Sequence, residues 1–364
     1  MTKIAIDARE LRTSTGRYVE RLLHYLQQVD TKHDYLVLLK TKDIAGWQPT
    51  NPRFSVVACD HKEFTFDEQL GMKKQLDALK PDLVHFTMVQ QPVWYTGKVV
   101  TTMQDLTTIR FKNPTKNQIV FTAKQQVYKW VNKRVAHKSA LLITPTQFVK
   151  DDVAAYTGVN PDKITVTLES ADAIQDQPQP LPALQDKRFI MYVGRPTPHK
   201  NLGRLIQAFA QLQAQHPDLW LVLAGKKDAN YQLHQATVQR MGLQNVLFTD
   251  FIPDSQLRWL YEHCAAYVFP SLSEGFGLPA LEAMSHGAPI VSSNATCLPE
   301  VSGDAAYYFD PLNVDDMAAK ISDVISNQTL RAELIAKGAV QIKKYSWQRM
   351  AEQTLAVYER ALGE

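Results

Sequence analysis

The sequence predicts an α/β protein made of two domains, each organised on a parallel sheet, and three observations predict it. Short apolar runs alternate with amphipathic helical stretches along most of the chain, the pattern of strand–helix–strand units. At 364 residues the chain is long for one domain and suits two of ordinary size. Near its middle, residues 172–186 turn proline-rich and polar, the composition of an interdomain linker. The expected division is a first domain over 1–171, a linker over 172–186, a second domain over 187–345 and a closing segment over 346–364.

The first domain opens on Lys3–Asp7, a short buried strand. Thr13–Tyr18 follows, with Gly16 at the turn, and then a helix with Val19, Leu22, Leu23 and Leu26 on one face. Strand, glycine turn and helix are the opening of a Rossmann-type unit, but one glycine is no dinucleotide fingerprint. Tyr35–Leu39 and Phe54–Ala58 read as strands, Phe66–Leu79 as a helix ending before Pro81, and Asp82–Phe86 as another strand. Open α/β sheets bind ligands at the carboxyl ends of their strands, so His85, near such an end, is a candidate for contact with an acceptor or a sugar; a satisfied structural histidine is the alternative. The strand that opens the stretch Lys98–Phe111 ends at Gln104-Asp105, a similar end. Asp105 could orient Gln104, bind a hydroxyl or cap the following loop.

Lys116–Lys138 has a helical pattern, with Val120, Ala123, Val127, Val131 and Val135 as its stripe. It carries six basic residues, no acid, and Phe121, Tyr128 and Trp130. Basic plus aromatic suits peripheral contact with anionic lipid; a solvated helix packed on its own sheet is the alternative. No nucleic-acid module accompanies this charge, and no nucleic-acid partner is expected. Leu141–Thr144 and Ile164–Leu168 read as the last strands of this domain, on either side of a helix starting near Thr146.

The second domain opens on the strand Phe189–Val193, which Gly194 ends. Arg195 and Lys200 follow, five positions apart near a helix start, and could converge on a diphosphate to neutralise charge that grows as its bond to a sugar breaks. Leu219–Ala224, Val246–Phe248 and Ala265–Phe269 are further strands. After the last of these, Gly275 and Gly277 let the backbone approach a ligand and Pro279 is placed to start a helix, so that free amides open into a helix N-terminus, an anion site. Glu274 and Glu282 bracket it. Carboxylates repel an anion but accept hydrogen bonds from hydroxyls. An anion flanked by polyols describes a sugar nucleotide. Pro289–Ser293 and Ala306–Phe309 complete the sheet, and Trp347–Leu362 supplies a final amphipathic helix.

Bulk composition fits an ordinary globular protein, with 21% charged and 45% hydrophobic residues. No apolar run approaches the roughly 20 residues of a membrane span, and no signal peptide is read at the N-terminus. Three dispersed cysteines, Cys59, Cys264 and Cys297, indicate neither a disulfide framework nor zinc, and suggest a reducing cytoplasm. The net charge of +3 hides an asymmetry: residues 1–170 hold 24 basic and 17 acidic side chains, the rest 16 and 20. A basic first half points to an anionic partner.

The segment Ser271–Met284, with Glu274 and Glu282 separated by seven residues inside S-x-x-E-G-F-G-L-P-A-L-E-A-M, resembles the E-x7-E motif of the retaining glycosyltransferases of family 4. The resemblance implies the GT-B fold, two Rossmann-like domains facing a central cleft. It further implies Glu274 by the donor sugar, Glu282 at the ribose, and the backbone of Gly275, Phe276, Gly277 and Leu278 around the sugar. Gly-Arg followed five residues later by Lys200-Asn201 resembles the family's phosphate-holding motif, and Gly16 its donor-facing loop. Thr102–Leu106 departs from the family's T-x-H-D-L: Gln104 replaces a histidine that contacts the transferred sugar. Gln can donate and accept hydrogen bonds but cannot shuttle a proton. Retaining transfer with front-face departure needs no strong enzymic base, because a leaving phosphate oxygen can take the acceptor proton.

Hence the catalytic candidates are Glu274, Gln104 and Asp105. The donor candidates are Arg195, Lys200, Glu282, Gly275–Leu278 and Gly16. The expected reaction is hexose transfer from a nucleoside-diphosphate sugar to a saccharide or lipid-linked hydroxyl acceptor in envelope glycan or glycolipid synthesis. The absence of an Asp-x-Asp triplet leads to an expectation of no metal, and no cofactor is expected beyond the donor itself. The alternatives are a donor-binding subunit without turnover and a sugar-nucleotide epimerase on the same fold.

Overall fold

The computed structural model describes residues 2–13, 16–112, 115 and 117–364; Ser14, Thr15 and Lys116, which belong to stretches singled out above, lie outside the described residues. The chain divides into two compact units. Unit 1 holds Met1–Ile109, Thr122–Glu169 and Ser346–Glu364, and unit 2 holds Arg110–Phe121 and Ser170–Tyr345.

Unit 1 runs β1 (Lys3–Asp7), α1 (Gly16–Val29), β2 (Asp34–Leu39), α2 (Thr41–Ile44), β3 (Phe54–Ala58), α3 (Lys73–Leu79), β4 (Leu83–Phe86), β5 (Val99–Thr102), α4 (Thr107–Arg110), α5 (Gln118–Lys138), β6 (Leu141–Thr144), α6 (Gln147–Thr157) and β7 (Ile164–Val166). Its seven strands are all parallel, in the order β3-β2-β1-β4-β5-β6-β7. β4 and β5 are buried along their whole length, without alternation, and their polar residues His85, Thr101 and Thr102 are buried too. In α1 the buried set includes Val19, Leu22, Leu23 and Leu26, the face its spacing predicts.

Unit 2 runs β8 (Phe189–Val193), α7 (Leu202–Gln215), β9 (Trp220–Ala224), α8 (Ala229–Arg240), β10 (Val246–Phe248), α9 (Asp254–His263), β11 (Ala266–Phe269), α10 (Leu278–Ser285), β12 (Ile290–Ser293), α11 (Leu298–Ser302), β13 (Ala306–Phe309), α12 (Val314–Ser326) and α13 (Gln328–Gln341). Its six strands are parallel in the order β10-β9-β8-β11-β12-β13. Both sheets reverse direction of growth beside their first strand, between β1 and β4 and between β8 and β11. That reversal opens a crevice at the carboxyl ends of the strands, where such folds bind ligands.

The last helix, α14 (Trp347–Leu362), is part of unit 1 and buries Trp347, Met350, Ala351, Thr354, Val357 and Tyr358. Spacings of three and four put these on one stripe, which packs on α1 and against β4, β5 and β6. Ser346 caps its start by accepting from the Arg349 amide, and Gly363, left-handed at φ 88°, closes its end.

The helix expected over Phe66–Leu79 is present, its stretch Glu68–Met72 being π-helical ahead of α3, with Phe66 exposed at its start. One local reading needs correction. On α5 the valine stripe does not pack as one face: Val120 and Val127 are exposed, whereas Gln125, Asn132, Val135 and Ala136 are buried. Burial of the two amides is satisfied, since Gln125 donates to the Thr108 carbonyl at 3.1 Å and Asn132 to the Tyr128 carbonyl at 2.8 Å. Hydrogen-bonding polar side chains thus occupy positions that hydrophobic periodicity alone assigns to solvent. Among the described residues no helix is long and apolar enough to cross a membrane.

Candidate functional site

In unit 2 the loops leaving β8 and β11 are stitched together at the sheet's reversal. Asn201 is buried, and its amide nitrogen donates to the carbonyls of Pro270 at 3.0 Å and Pro311 at 2.8 Å. The Leu272 amide donates to the His199 carbonyl at 2.7 Å. Beyond these backbone ties, Lys200 Nζ reaches Glu274 Oε1 at 2.6 Å, both side chains being largely covered, and lies over the Phe269 ring at 5.9 Å from its centroid. The structure therefore brings Lys200 and Glu274 into direct contact. Arg195 stays exposed at the start of the same loop, just past Gly194.

Asn201 adopts a left-handed conformation at φ 60°, which Asn tolerates better than most residues. This turns the chain into α7, whose first turn follows at once. A cavity of about 400 Å³ beside that turn is lined by Thr197, Pro198, Asn201, Arg204, Gln207 and His234. His199 sits against the ion pair. Burial, with Lys200 nearby, pulls its imidazole down to about 4, so the ring is neutral at pH 7.

The second loop carries the other candidates. The Glu274 amide donates to Thr296 Oγ1 at 3.1 Å, and its carbonyl accepts from Cys297 Sγ at 3.3 Å, which pins its backbone to the segment after β12. Gly275 and Phe276 are buried, and the Phe276 ring turns inward, edge-on to Tyr345 at 5.6 Å. What Phe276 can offer a ligand is its backbone. Gly277 has φ 97° and begins α10; a Cβ there would lie 2.9 Å from Leu298 Cδ2 and 3.2 Å from Phe269 Cε1. Glycine is required by both conformation and space. Leu278 and Pro279 form the first turn of α10, and Glu282, one turn in, is buried with the Tyr261 hydroxyl donating to Oε2 at 3.4 Å.

In unit 1, Gly16 begins α1 and is buried; a Cβ would stand 2.1 Å from the Leu11 carbonyl oxygen, so close backbone approach dictates the glycine. Gln104 and Asp105 follow β5 and are half-buried. Asp105 Oδ1 accepts from the Thr107 amide at 2.8 Å, the capping role among the three expected of it. His85 requires a correction. It is fully buried, its Nδ1 is 2.6 Å from the Tyr358 hydroxyl and its Nε2 is 2.8 Å from Thr102 Oγ1. Burial pulls its pKa down to about 3. Both ring nitrogens are engaged inside the core, so His85 holds α14 to the sheet and presents nothing to an acceptor or a sugar.

Three residues were not singled out in the sequence: His199, Thr296 and Glu169. Glu169 lies three residues past β7 and is 4% exposed, and burial pushes its carboxyl up to about 7. No motif marks it. Buried Asp7, Arg9 and Glu68 form another unforeseen cluster, in which Arg9 bridges Asp7 at 2.7 Å and Glu68 at 3.0 Å beyond the end of β1.

Two parallel-sheet units, each with its reversal beside the first strand, define the GT-B class of fold, here with an ion pair and a glycine-started helix at the reversal of the second sheet. Residues 15–168 match the model described as Glycosyltransferase Family 4, and residues 173–341 the model described as Glycosyl transferases group 1. The chain is thus family 4-like in its first half and group 1-like in its second. It is 33% identical over 232 residues to O-antigen chain mannosyltransferase B of Escherichia coli, covering 60% of each chain. It is 31% identical over 230 residues to the Escherichia coli serotype-specific mannosyltransferase WbdA, covering 60% of this chain and 28% of that one. The matched stretches span less than two thirds of these relatives. Among solved structures, sucrose-phosphate synthase from Thermosynechococcus elongatus superposes with a TM-score of 0.77 at 17% identity, over 99% of both chains. Anabaena HepE in complex with UDP-glucose gives 0.75 at 16%, over 99% of this chain and 100% of that one. These two likenesses concern the fold.

Proposed function

We propose that this chain is a retaining glycosyltransferase that moves a hexose from a nucleoside-diphosphate sugar to a hydroxyl acceptor in envelope glycan or glycolipid synthesis. The observation that carries the reading is the stitched loop pair of unit 2, which holds Lys200 against Glu274 beside a glycine-started helix. In this reading Lys200 leaves Glu274 for the incoming diphosphate, joined by Arg195. Glu274 then accepts from sugar hydroxyls, Glu282 from the ribose, and the amides of Gly275–Leu278 close around the sugar. Positive charge at the leaving diphosphate grows in value as the glycosidic bond breaks, which is where it lowers the barrier. Gln104 supplies a hydrogen bond at the transferred sugar without exchanging a proton. The names of the mannosyltransferase relatives make mannose the first hexose to test, and the UDP-glucose held by HepE makes uridine the first base.

The test is thermal stabilisation by UDP, GDP, ADP and dTDP, with Arg195→Ala alongside, because a ligand of the folded state raises the melting temperature. One diphosphate should stabilise the chain and lose that effect in the variant. The matching sugar nucleotide should then give a product of unchanged anomeric configuration, with turnover surviving chelator. No shift with any diphosphate overturns the donor site; inversion, or a strict metal requirement, overturns the mechanism. Tight diphosphate binding without transfer would favour a donor-binding subunit, the reading to which Gln104 in place of histidine lends weight.

For the acceptor side we propose a cytoplasmic protein that docks on the inner membrane face. Support comes from α5, where Val127 and Trp130 are 62% and 50% exposed among Lys124, Lys129 and Lys133, and from Phe64, exposed and edge-on to Tyr128 at 5.8 Å. Lys138 does not contribute, since it turns inward to the Pro92 carbonyl at 2.7 Å. Flotation with vesicles rich in phosphatidylglycerol but not with neutral ones is the expected result, reduced in Trp130→Ala with Lys129→Ala. Flotation with neither vesicle, or equal flotation with both, refutes it.

A further inference from the structure

Phe64, in the loop after β3, is 65% exposed, and its backbone is left-handed at φ 62°. A bulky side chain adopts that conformation only where its surroundings impose it. Here they are the buried cluster of Asp7, Arg9 and Glu68. Glu68 Oε2 accepts from the Phe64 amide at 3.0 Å, and Arg9, paired with both acids, donates to the His61 carbonyl at 2.6 Å. The loop is thereby tied at two points to the end of β1, and it holds an aromatic ring outward. The ring's neighbour is Tyr128, 5.8 Å away, which packs on the core cluster containing Met103 and Leu106, the residues on either side of Gln104-Asp105. Glu63, just before Phe64, pairs with Lys40 at 2.7 Å, and Lys40 also reaches Glu10 at 3.7 Å. These three follow β3, β2 and β1 at the carboxyl end of the sheet, and each stays partly open to solvent.

We infer that Phe64 is a specificity-determining residue on the acceptor side, its ring the platform for an uncharged sugar unit whose hydroxyls meet Glu63, Lys40 and Glu10. The inference rests on the proposed function, in which the acceptor side lies with unit 1. A pyranose presents a face of C–H bonds, positively polarised, which suits the negative face of an aromatic ring. Its hydroxyls donate to carboxylates and accept from an ammonium. Two carboxylates against one ammonium repel an anionic substituent, so a phosphorylated or uronic sugar is disfavoured at this place. The same charge sets the loop apart from α5. Asp60, Glu63 and Asp67 stand against Lys62, so anionic lipid is met by the lysines of α5 and the sugar of a lipid-linked acceptor by Phe64.

Saturation-transfer NMR on the full chain, with the methyl glycosides of mannose, glucose, galactose and N-acetylglucosamine as probes, tests this. At least one should bind the wild type, with Kd raised about threefold to tenfold in Phe64→Ala and Phe64→Leu and kept in Phe64→Trp. The 6-phosphate of that sugar should bind more weakly, and stabilisation by the active diphosphate should be the same in all three variants. The Trp and Leu pair carries the test even if Phe64→Ala is unstable. Binding of none of the probes, a Leu variant as good as the wild type, or tighter binding of the 6-phosphate overturns the inference. So does a Phe64→Ala chain that keeps its sugar affinity but loses flotation with phosphatidylglycerol vesicles, which makes Phe64 a membrane contact instead. Sugar binding that depends on Phe64 in a chain that transfers no hexose overturns the proposed function and leaves the platform standing.

Discussion

Asn201 offers the most direct check on how unit 2 holds its loops. Its amide nitrogen serves two carbonyls from different segments, Pro270 and Pro311, while its Oδ1 accepts from Arg204 at 2.9 Å. Asn201→Ala removes all three bonds and places a Cβ-bearing residue at φ 60° without the local hydrogen bonding that lets Asn adopt it. Leaving a buried acceptor unsatisfied costs about 1–3 kcal/mol, and the left-handed backbone adds about 1 kcal/mol for Ala. Asn201→Gly loses the same bonds but accepts the backbone, so the pair separates the two effects. The carbonyls can recover some water, so a loss of about 2–4 kcal/mol common to both variants is expected, with Ala about 1 kcal/mol below Gly. For a unit of this size that lowers the melting temperature by about 4–12 °C, read by near-ultraviolet circular dichroism. Because the loop also carries Lys200, affinity for the active diphosphate should fall in both variants. If Ala melts within about 1 °C of the wild type, or above Gly, then the cross-loop bonds do not hold the site and the reasoning fails.

Gly277→Ala should destabilise by about 1–2 kcal/mol, since φ 97° and a 2.9 Å approach to Leu298 Cδ2 both oppose a side chain; the urea midpoint at unchanged slope checks this, and no change refutes the close fit. Glu169→Gln should change how stability depends on pH. The folded carboxyl has its pKa raised to about 7, so its protonated form is favoured by folding, and its contribution is full below the usual carboxylate range and lost as pH rises through 7. Wild type should lose up to about 3 kcal/mol across that window and the variant should not, so that the variant melts higher above pH 8; parallel melting curves across the window would count against a buried, raised carboxyl.

Much of the fold was legible because burial and period agree in its elements. The faces of α1 and α14 follow from spacing, and β4 and β5 are buried along their whole length. In the site, the glycine pattern of the β11–α10 loop was legible because its conformation and space admit no other residue at Gly277. The side chain of Phe276 was not, since the same loop turns it into the core. His85 read as a ligand-facing residue because its strand position allows either role; what decides is Tyr358, 273 positions further on. Glu169 carried no local signal at all, as a single glutamate past a short strand looks like a surface loop. The α5 face misled for the opposite reason, its buried Gln125 and Asn132 being polar.

The position of α14 also bears on the order in which the protein can be made. Chains emerge from the ribosome N-terminus first, and early domains usually fold before late ones are complete. Here unit 1 is begun first but draws its Tyr358 partner for His85, and the apolar stripe against β4 and β5, from residues translated after all of unit 2. Unit 2 can therefore reach its native packing while unit 1 still lacks a helix. The nascent first half must wait with an uncovered sheet face, which makes it the half exposed to chaperones and to aggregation during synthesis.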